Sequence, residues 1–218
     1  MRHVGMPKLV ILLALSLFGT ASGLAAPVNA ASENYQVTAF PFYSQEGSTI
    51  TIVLSVRNAM PSTTYSFNFS VRDPSTTIWT SNPQIYTTLA FETEFGLIIL
   101  FPSPEFPCRA SCPSTSLVGT YLVGITQILP SLRPNVAQTW FFLGLTDRYL
   151  PYQRTETVSI VATGYSPSES VSIAIRTSVS LTLVYSHTVL ASTGGRVNDS
   201  WYVPKNATVT EDYIVTLT

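Results

Sequence analysis

The sequence predicts an all-β chain of tandem immunoglobulin-like β-sandwich modules. Three observations carry that expectation: long runs of strict apolar–polar alternation, a Ser/Thr/Val/Ile/aromatic composition punctuated by Pro and Gly, and a pattern that occurs twice at domain length. Alternation with period two puts every second side chain on one face, the signature of a half-buried antiparallel strand. β-branched and aromatic residues suit a pleated surface, and two packed sheets are the usual way to bury such faces.

The first element lies outside the fold. Arg2, His3 and Lys8 make a basic start, Leu9 to Phe18 is an uncharged apolar run, and small residues follow from Gly19 to Ala26. That order matches a secretory signal peptide over 1–30, and the run is shorter than the roughly 20 residues of a membrane-spanning helix. Pro27 disfavours a cut after Ala26, whereas Val28-Asn29-Ala30 offers a small-residue site and places the mature start at Ala31. The expected location is therefore extracellular, secreted or at the cell surface, with membrane contact only through the leader.

Composition narrows the function classes. The chain has 11 basic and 12 acidic residues, and two of the basic ones, Arg2 and Lys8, belong to the leader. The charges are scattered singly, so there is no basic patch for nucleic acid. Cys108 and Cys112 are the only cysteines, and in an oxidising compartment they are expected to close a small disulfide loop. No His or second Cys pair lies near them, which argues against a metal site.

The strands come next. Ile50, Ile52, Leu54 and Val56 share one face of a first run, with Thr49, Thr51 and Ser55 on the other. Tyr65, Phe67, Phe69 and Val71 do the same in a second run, after the turn residues Asn58 to Ser62. The segment Gln153 to Ile160 then lies over Gln45 to Ile52, Val171, Ile173 and Ile175 take the part of the Tyr65 run, and Tyr213 aligns with Tyr121. A repeat of this length indicates tandem modules, at 32–144 and 145–218. The first copy is the longer, and its excess is expected between Asn82 and Ser116, around the cysteines.

The run Thr155-Glu156-Thr157-Val158, then Thr163-Gly164-Tyr165, Trp201-Tyr202-Val203-Pro204 and Asp212-Tyr213-Ile214-Val215-Thr216 resembles the tandem immunoglobulin-like repeats of secreted archaeal and bacterial cell-surface proteins. The first module departs from this pattern, with Asn58-Ala59-Met60 in place of the Gly-Tyr turn. The resemblance implies a further strand after each Tyr-x-Val strand. Val136 to Leu143 fits that place in the first module, whereas the second is expected to lack it. The second module is then expected to belong with further repeats or to accept a strand from a neighbouring chain.

No catalytic constellation emerges, and no cofactor or metal site is expected. His187 is the only histidine beyond the leader, is placed at a strand end, and has no Gly-x-Ser-x-Gly elbow to accompany it. Glu92 and Glu94 put two carboxylates on one side of a strand, where a solvated face outweighs calcium binding, helped by Asp73 or Glu105, and glycoside hydrolysis. Among the tryptophans, Trp140 and Trp201 read as core, and Trp79, flanked by Thr76, Thr77, Thr80 and Ser81, reads as the candidate ligand platform. Asn68, Asn198 and Asn206 begin N-glycosylation sequons on polar faces or loops. The expected function is a non-catalytic structural or adhesive repeat segment. The alternative is a module binding a cell-surface glycan or protein, appended to an extracellular enzyme.

Overall fold

The alternating runs form strands where their periodicity places them. The computed structural model describes residues 32–149, 151–207 and 212–218, and the expected leader 1–30 lies outside them. Seven strands build the first sandwich before the Tyr121 run: β1 (Asn34–Phe40), β2 (Tyr43–Gln45), β3 (Ile50–Arg57), β4 (Thr64–Arg72), β5 (Ile78–Thr80), β6 (Gln84–Thr87) and β7 (Glu94–Phe101). β8 (Gly119–Leu129) and β9 (Arg133–Gly144) complete it. One sheet has the order β1-β3-β7, and the other β2-β9-β8-β4-β5 with β6 also paired to β4. All pairs are antiparallel except β2 with β9.

Ile50, Ile52, Leu54 and Val56 of β3 face Tyr65, Phe67, Phe69 and Val71 of β4 across one core, joined by Tyr121, Val123 and Ile125 of β8 and by Phe141 and Leu143 of β9. Burying each large side chain of this kind contributes roughly 1.5–3 kcal/mol, so the facing stripes hold the two sheets together. Tyr121 stacks on Phe141 at 5.0 Å, and its hydroxyl donates to the carbonyl of Leu117 at 3.1 Å. The phenol is buried with its polar end satisfied.

The second half repeats the plan with fewer strands: β10 (Thr157–Ala162), β11 (Ser170–Thr177), β12 (Leu183–Leu190), β13 (Val197–Tyr202) and β14 (Tyr213–Leu217). β10 pairs β13 as β3 pairs β7, and β11 pairs β14 as β4 pairs β8. A second apolar cluster fills this half, with Ile160, Ile173, Ile175, Val197 and Trp201 buried and Tyr213 packed on Trp201 at 5.3 Å. The architecture is an immunoglobulin-like β-sandwich, as expected. The whole of Ser32–Thr218 forms one compact unit in which the two apolar clusters stay separate.

Two expectations meet the geometry directly. The run Val136 to Leu143 does lie in β9, beside β8. Among the described residues, β14 pairs with β11 on one side and with no strand on the other. Asn34–Phe40 is engaged elsewhere, on β3. The consequence is visible in burial: Tyr121, Val123 and Ile125 are fully enclosed, whereas Tyr213, Val215 and Leu217 are half-buried. β9 covers the first set with Phe141 and Leu143.

Cys108 and Cys112 are joined in a disulfide within the long connection from β7 to β8. This connection, 102–118, is longer than its counterpart from β13 to β14, 203–212, and so carries part of the extra length of the first copy.

Candidate functional site

Strand parity decides which side chains the first sandwich offers to solvent. Phe141 and Leu143 point inward on β9, so Trp140 must point outward. Leu122 stands opposite Trp140 on β8, Arg72 opposite Leu122 on β4, and Ile78 opposite Arg72 on β5. These four positions make one row across four adjacent strands, spanning roughly 14 Å at the usual interstrand spacing. Phe42, just before β2, closes the row with its ring edge-on to Trp140 at 4.1 Å between centroids. All are open to solvent: Trp140 is 45% exposed, Phe42 49%, Leu122 40% and Ile78 60%.

A second row lies beside the first and is polar. Thr80, Ser70, Gly124 and Gln138 stand opposite one another on β5, β4, β8 and β9. Between the two rows runs a groove of about 240 Å³ whose lining is apolar at Ile78, Leu122 and Val123 and polar at Ser70, Arg72, Asn135, Gln138 and Thr139, with Gly124 among them. Gly124 forms its floor, because a Cβ there would stand 2.9 Å from the Ser70 hydroxyl oxygen and 3.8 Å from Asn135 Oδ1. Arg57, Arg133 and Arg148 each pair with a glutamate. Arg72 has no such partner among the described residues, and no carboxylate lines the groove.

The residue expected to form an exposed platform is enclosed. Trp79 is 8% exposed, its ring packs on Phe101 at 5.6 Å, and its indole N–H donates to Ser111 Oγ at 3.1 Å. A ring face buried against Phe101 cannot stack on a ligand, so Trp79 is a core residue and not a platform. Trp140, read from sequence as core, is the exposed tryptophan. Trp201 is buried as expected.

The remaining candidates have structural partners. Glu92 accepts from the Tyr86 hydroxyl at 2.6 Å and the Leu89 N–H at 2.9 Å, and these bonds hold its carboxyl below the usual range. Glu94 faces Arg57 at 3.9 Å, so the two glutamates serve different neighbours. Asp73 caps its own turn through Ser75 and the Thr77 N–H. His187 sits inside β12, not at its end. Its Nδ1 lies 3.1 Å from Asp199, whose other oxygen accepts from the Tyr185 hydroxyl at 2.9 Å. Among the described residues no group of three or more metal-ligating side chains converges. Of the sequon asparagines, Asn198 and Asn206 are exposed. Asn68 is half-buried in mid-β4, with its carboxamide oxygen enclosed and without a hydrogen-bond partner.

A polar junction joins the two halves, and the sequence offered no sign of it. Gln45 Nε2 donates to the carbonyls of Leu145 and Ser159 at 3.2 and 3.1 Å, and the Tyr43 hydroxyl meets Thr146 Oγ1 at 2.9 Å. Glu46 is 4% exposed and accepts from the Thr163 hydroxyl at 3.1 Å. Burial pushes its carboxyl up to about 7, against the opposing pull of the bonds from Thr163.

No family model and no curated protein matches the sequence. Solved structures with a similar arrangement include a four-repeat segment from the extending region of a large adhesion protein, at 14% identity and TM-score 0.32, covering 80% of this chain and 42% of that one. A Mobiluncus mulieris adhesin carrying intramolecular disulfide, isopeptide and ester cross-links matches at 8% identity and TM-score 0.31, over 77% of this chain and 76% of that one. Red sea bream transglutaminase matches at 9% identity and TM-score 0.39, over 85% of this chain and 29% of that one. The chain thus spans less than half the length of the first and third. Adhesin repeats and an enzyme stand side by side at these values, and functional weight rests on the site itself.

Proposed function

We propose that this chain is a non-catalytic adhesive segment of a secreted or cell-surface protein, built from two sandwich modules at 32–144 and 145–218. The observation that carries this reading is the exposed row Ile78–Arg72–Leu122–Trp140–Phe42 on the outside of a sheet. Leaving large aromatics in water is unfavourable unless something covers them, and clustered exposure of this kind marks interaction surfaces. The Gln45 and Tyr43 hydrogen bonds support the two-module part, since they tie the halves together as a repeat array requires. A strand added to the open side of β14 from a neighbouring repeat or chain belongs to the same reading. Its support is the half-burial of Tyr213, Val215 and Leu217. Glycans on Asn198 and Asn206 would sit on exposed positions of the second half.

The test is retention of chain-coated beads on immobilised polysaccharide and extracellular-protein surfaces under flow. Wild-type beads are expected to be held on at least one surface, and beads carrying Trp140→Ala with Phe42→Ala to be washed off. Equal retention of both would overturn the contact-surface reading, and retention of neither would favour a plain spacer.

A further inference from the structure

We propose that the groove beside Trp140 binds an acidic glycan, a saccharide carrying a carboxylate on at least one ring. This rests on the reading of the Trp140 face as the contact surface and names its ligand class.

Three features of the groove converge on that chemistry. Trp140, opposite the groove-lining Leu122, and Phe42 offer exposed apolar ring surface next to the groove, suited to the C–H face of a pyranose. Asn135 and Gln138 supply two carboxamides, which both donate and accept and so match sugar hydroxyls, and the Ser70 hydroxyl, which donates to the Gly124 carbonyl at 3.1 Å, adds an acceptor. Arg72 supplies a guanidinium with no carboxylate partner among the described residues, on a groove that no described acidic residue lines. A guanidinium grips a carboxylate through two parallel N–H donors, and the absence of an internal partner leaves that fork open for a ligand.

The dimensions agree. Arg72 and Trp140 stand two strands apart with Leu122 between them, a separation of roughly 10 Å that fits adjoining rings of one oligosaccharide. Gly124 is what keeps the floor low, as any side chain there would meet Ser70. The alternatives fit less well. A single cation is too little for nucleic acid, whose affinity comes from neutralising several phosphates. A protein partner needs some 800 Å² on each side, far more than this groove presents.

The experiment is calorimetry on the purified chain with three carboxylated probes: oligogalacturonate, oligoguluronate and sialyllactose. The methyl ester of oligogalacturonate, a sulfated heparin-type oligosaccharide and poly-glutamate serve as comparisons. At least one carboxylated probe is expected to bind, more tightly at low salt than at high. Arg72→Gln is expected to weaken that binding tenfold or more, and Trp140→Ala to weaken it comparably, while Arg57→Gln on the other sheet leaves it unchanged. Thermal melts of the variants check that the fold is intact. The proposal is overturned if none of the three carboxylated probes binds, if Arg72→Gln binds them as the wild type does, or if sulfated sugar or poly-glutamate binds in their place. If the bead assay depends on Trp140 but no carboxylated sugar binds, the glycan assignment fails and the contact surface stands. If the beads ignore Trp140, the surface reading itself fails.

Discussion

Glu46 and Thr163 meet across the junction of the two halves, with the Thr163 hydroxyl donating to a carboxyl that is almost wholly enclosed. Enclosure favours the protonated form, which raises this acid to about 7 in the folded chain against its ordinary value of 4.5. Between those two values the folded state binds the extra proton, so stability is full below about pH 4.5 and declines as pH rises through 7. Chemical denaturation at pH 5 and pH 8 is expected to differ by about 2 kcal/mol in favour of pH 5. Glu46→Gln keeps an acceptor for Thr163 without the charge and is expected to flatten that slope. A wild type equally stable at both values would remove the argument.

The two tryptophans of the first sandwich are expected to separate cleanly. Trp79→Ala opens a hole beside Phe101 and frees Ser111, and is expected to cost about 3–5 kcal/mol by denaturant titration. Trp140→Ala removes an exposed ring and is expected to change stability by less than about 1 kcal/mol, the scale of its cross-strand pairing with Leu122.

Tyr121 and Tyr213 hold corresponding places on β8 and β14, but among the described residues only the first is covered by a further strand. Tyr121→Ala is accordingly expected to cost about 3–5 kcal/mol, and Tyr213→Ala about 2 kcal/mol. Tyr121→Phe, which keeps the ring and loses only the bond to Leu117, is expected to cost about 1 kcal/mol. Equal losses at Tyr121→Ala and Tyr213→Ala would contradict the difference in covering.

The disulfide closes a loop of a few residues and constrains the unfolded chain little. Reduction, or Cys108→Ser with Cys112→Ser, is expected to lower stability by no more than about 2 kcal/mol. Loss of the native near-ultraviolet signal on reduction would show that the loop does more than this.

Much of the fold is legible in the residues because burial selects one face of each strand. Tyr65 to Val71 alternate without interruption and Ile50 to Val56 are broken only by the partly exposed Val53, and the apolar stripe of each run is buried. The pairing of Tyr121 with Tyr213 in the repeat, the added strand at Val136 to Leu143 and the Cys108–Cys112 bridge follow from pattern and short spacing in the same way.

The site was not legible, for an equally physical reason. Trp140 lies in Trp140-Phe141-Phe142-Leu143, four large apolar residues with no alternation to say which pair faces the core. Trp79 lies in a three-residue strand among Ser and Thr, too short for parity to be read. Only the pairing of β9 with β8, and of β5 with β4, assigns the faces, turning Trp140 out beside Leu122 and Trp79 in against Phe101. Glu46 is a further case, an ordinary turn residue until the second half packs over it and excludes water. Local pattern determines which segments become strands. Long-range register and packing, which bring together residues distant in the chain, decide what those strands bury and what they present.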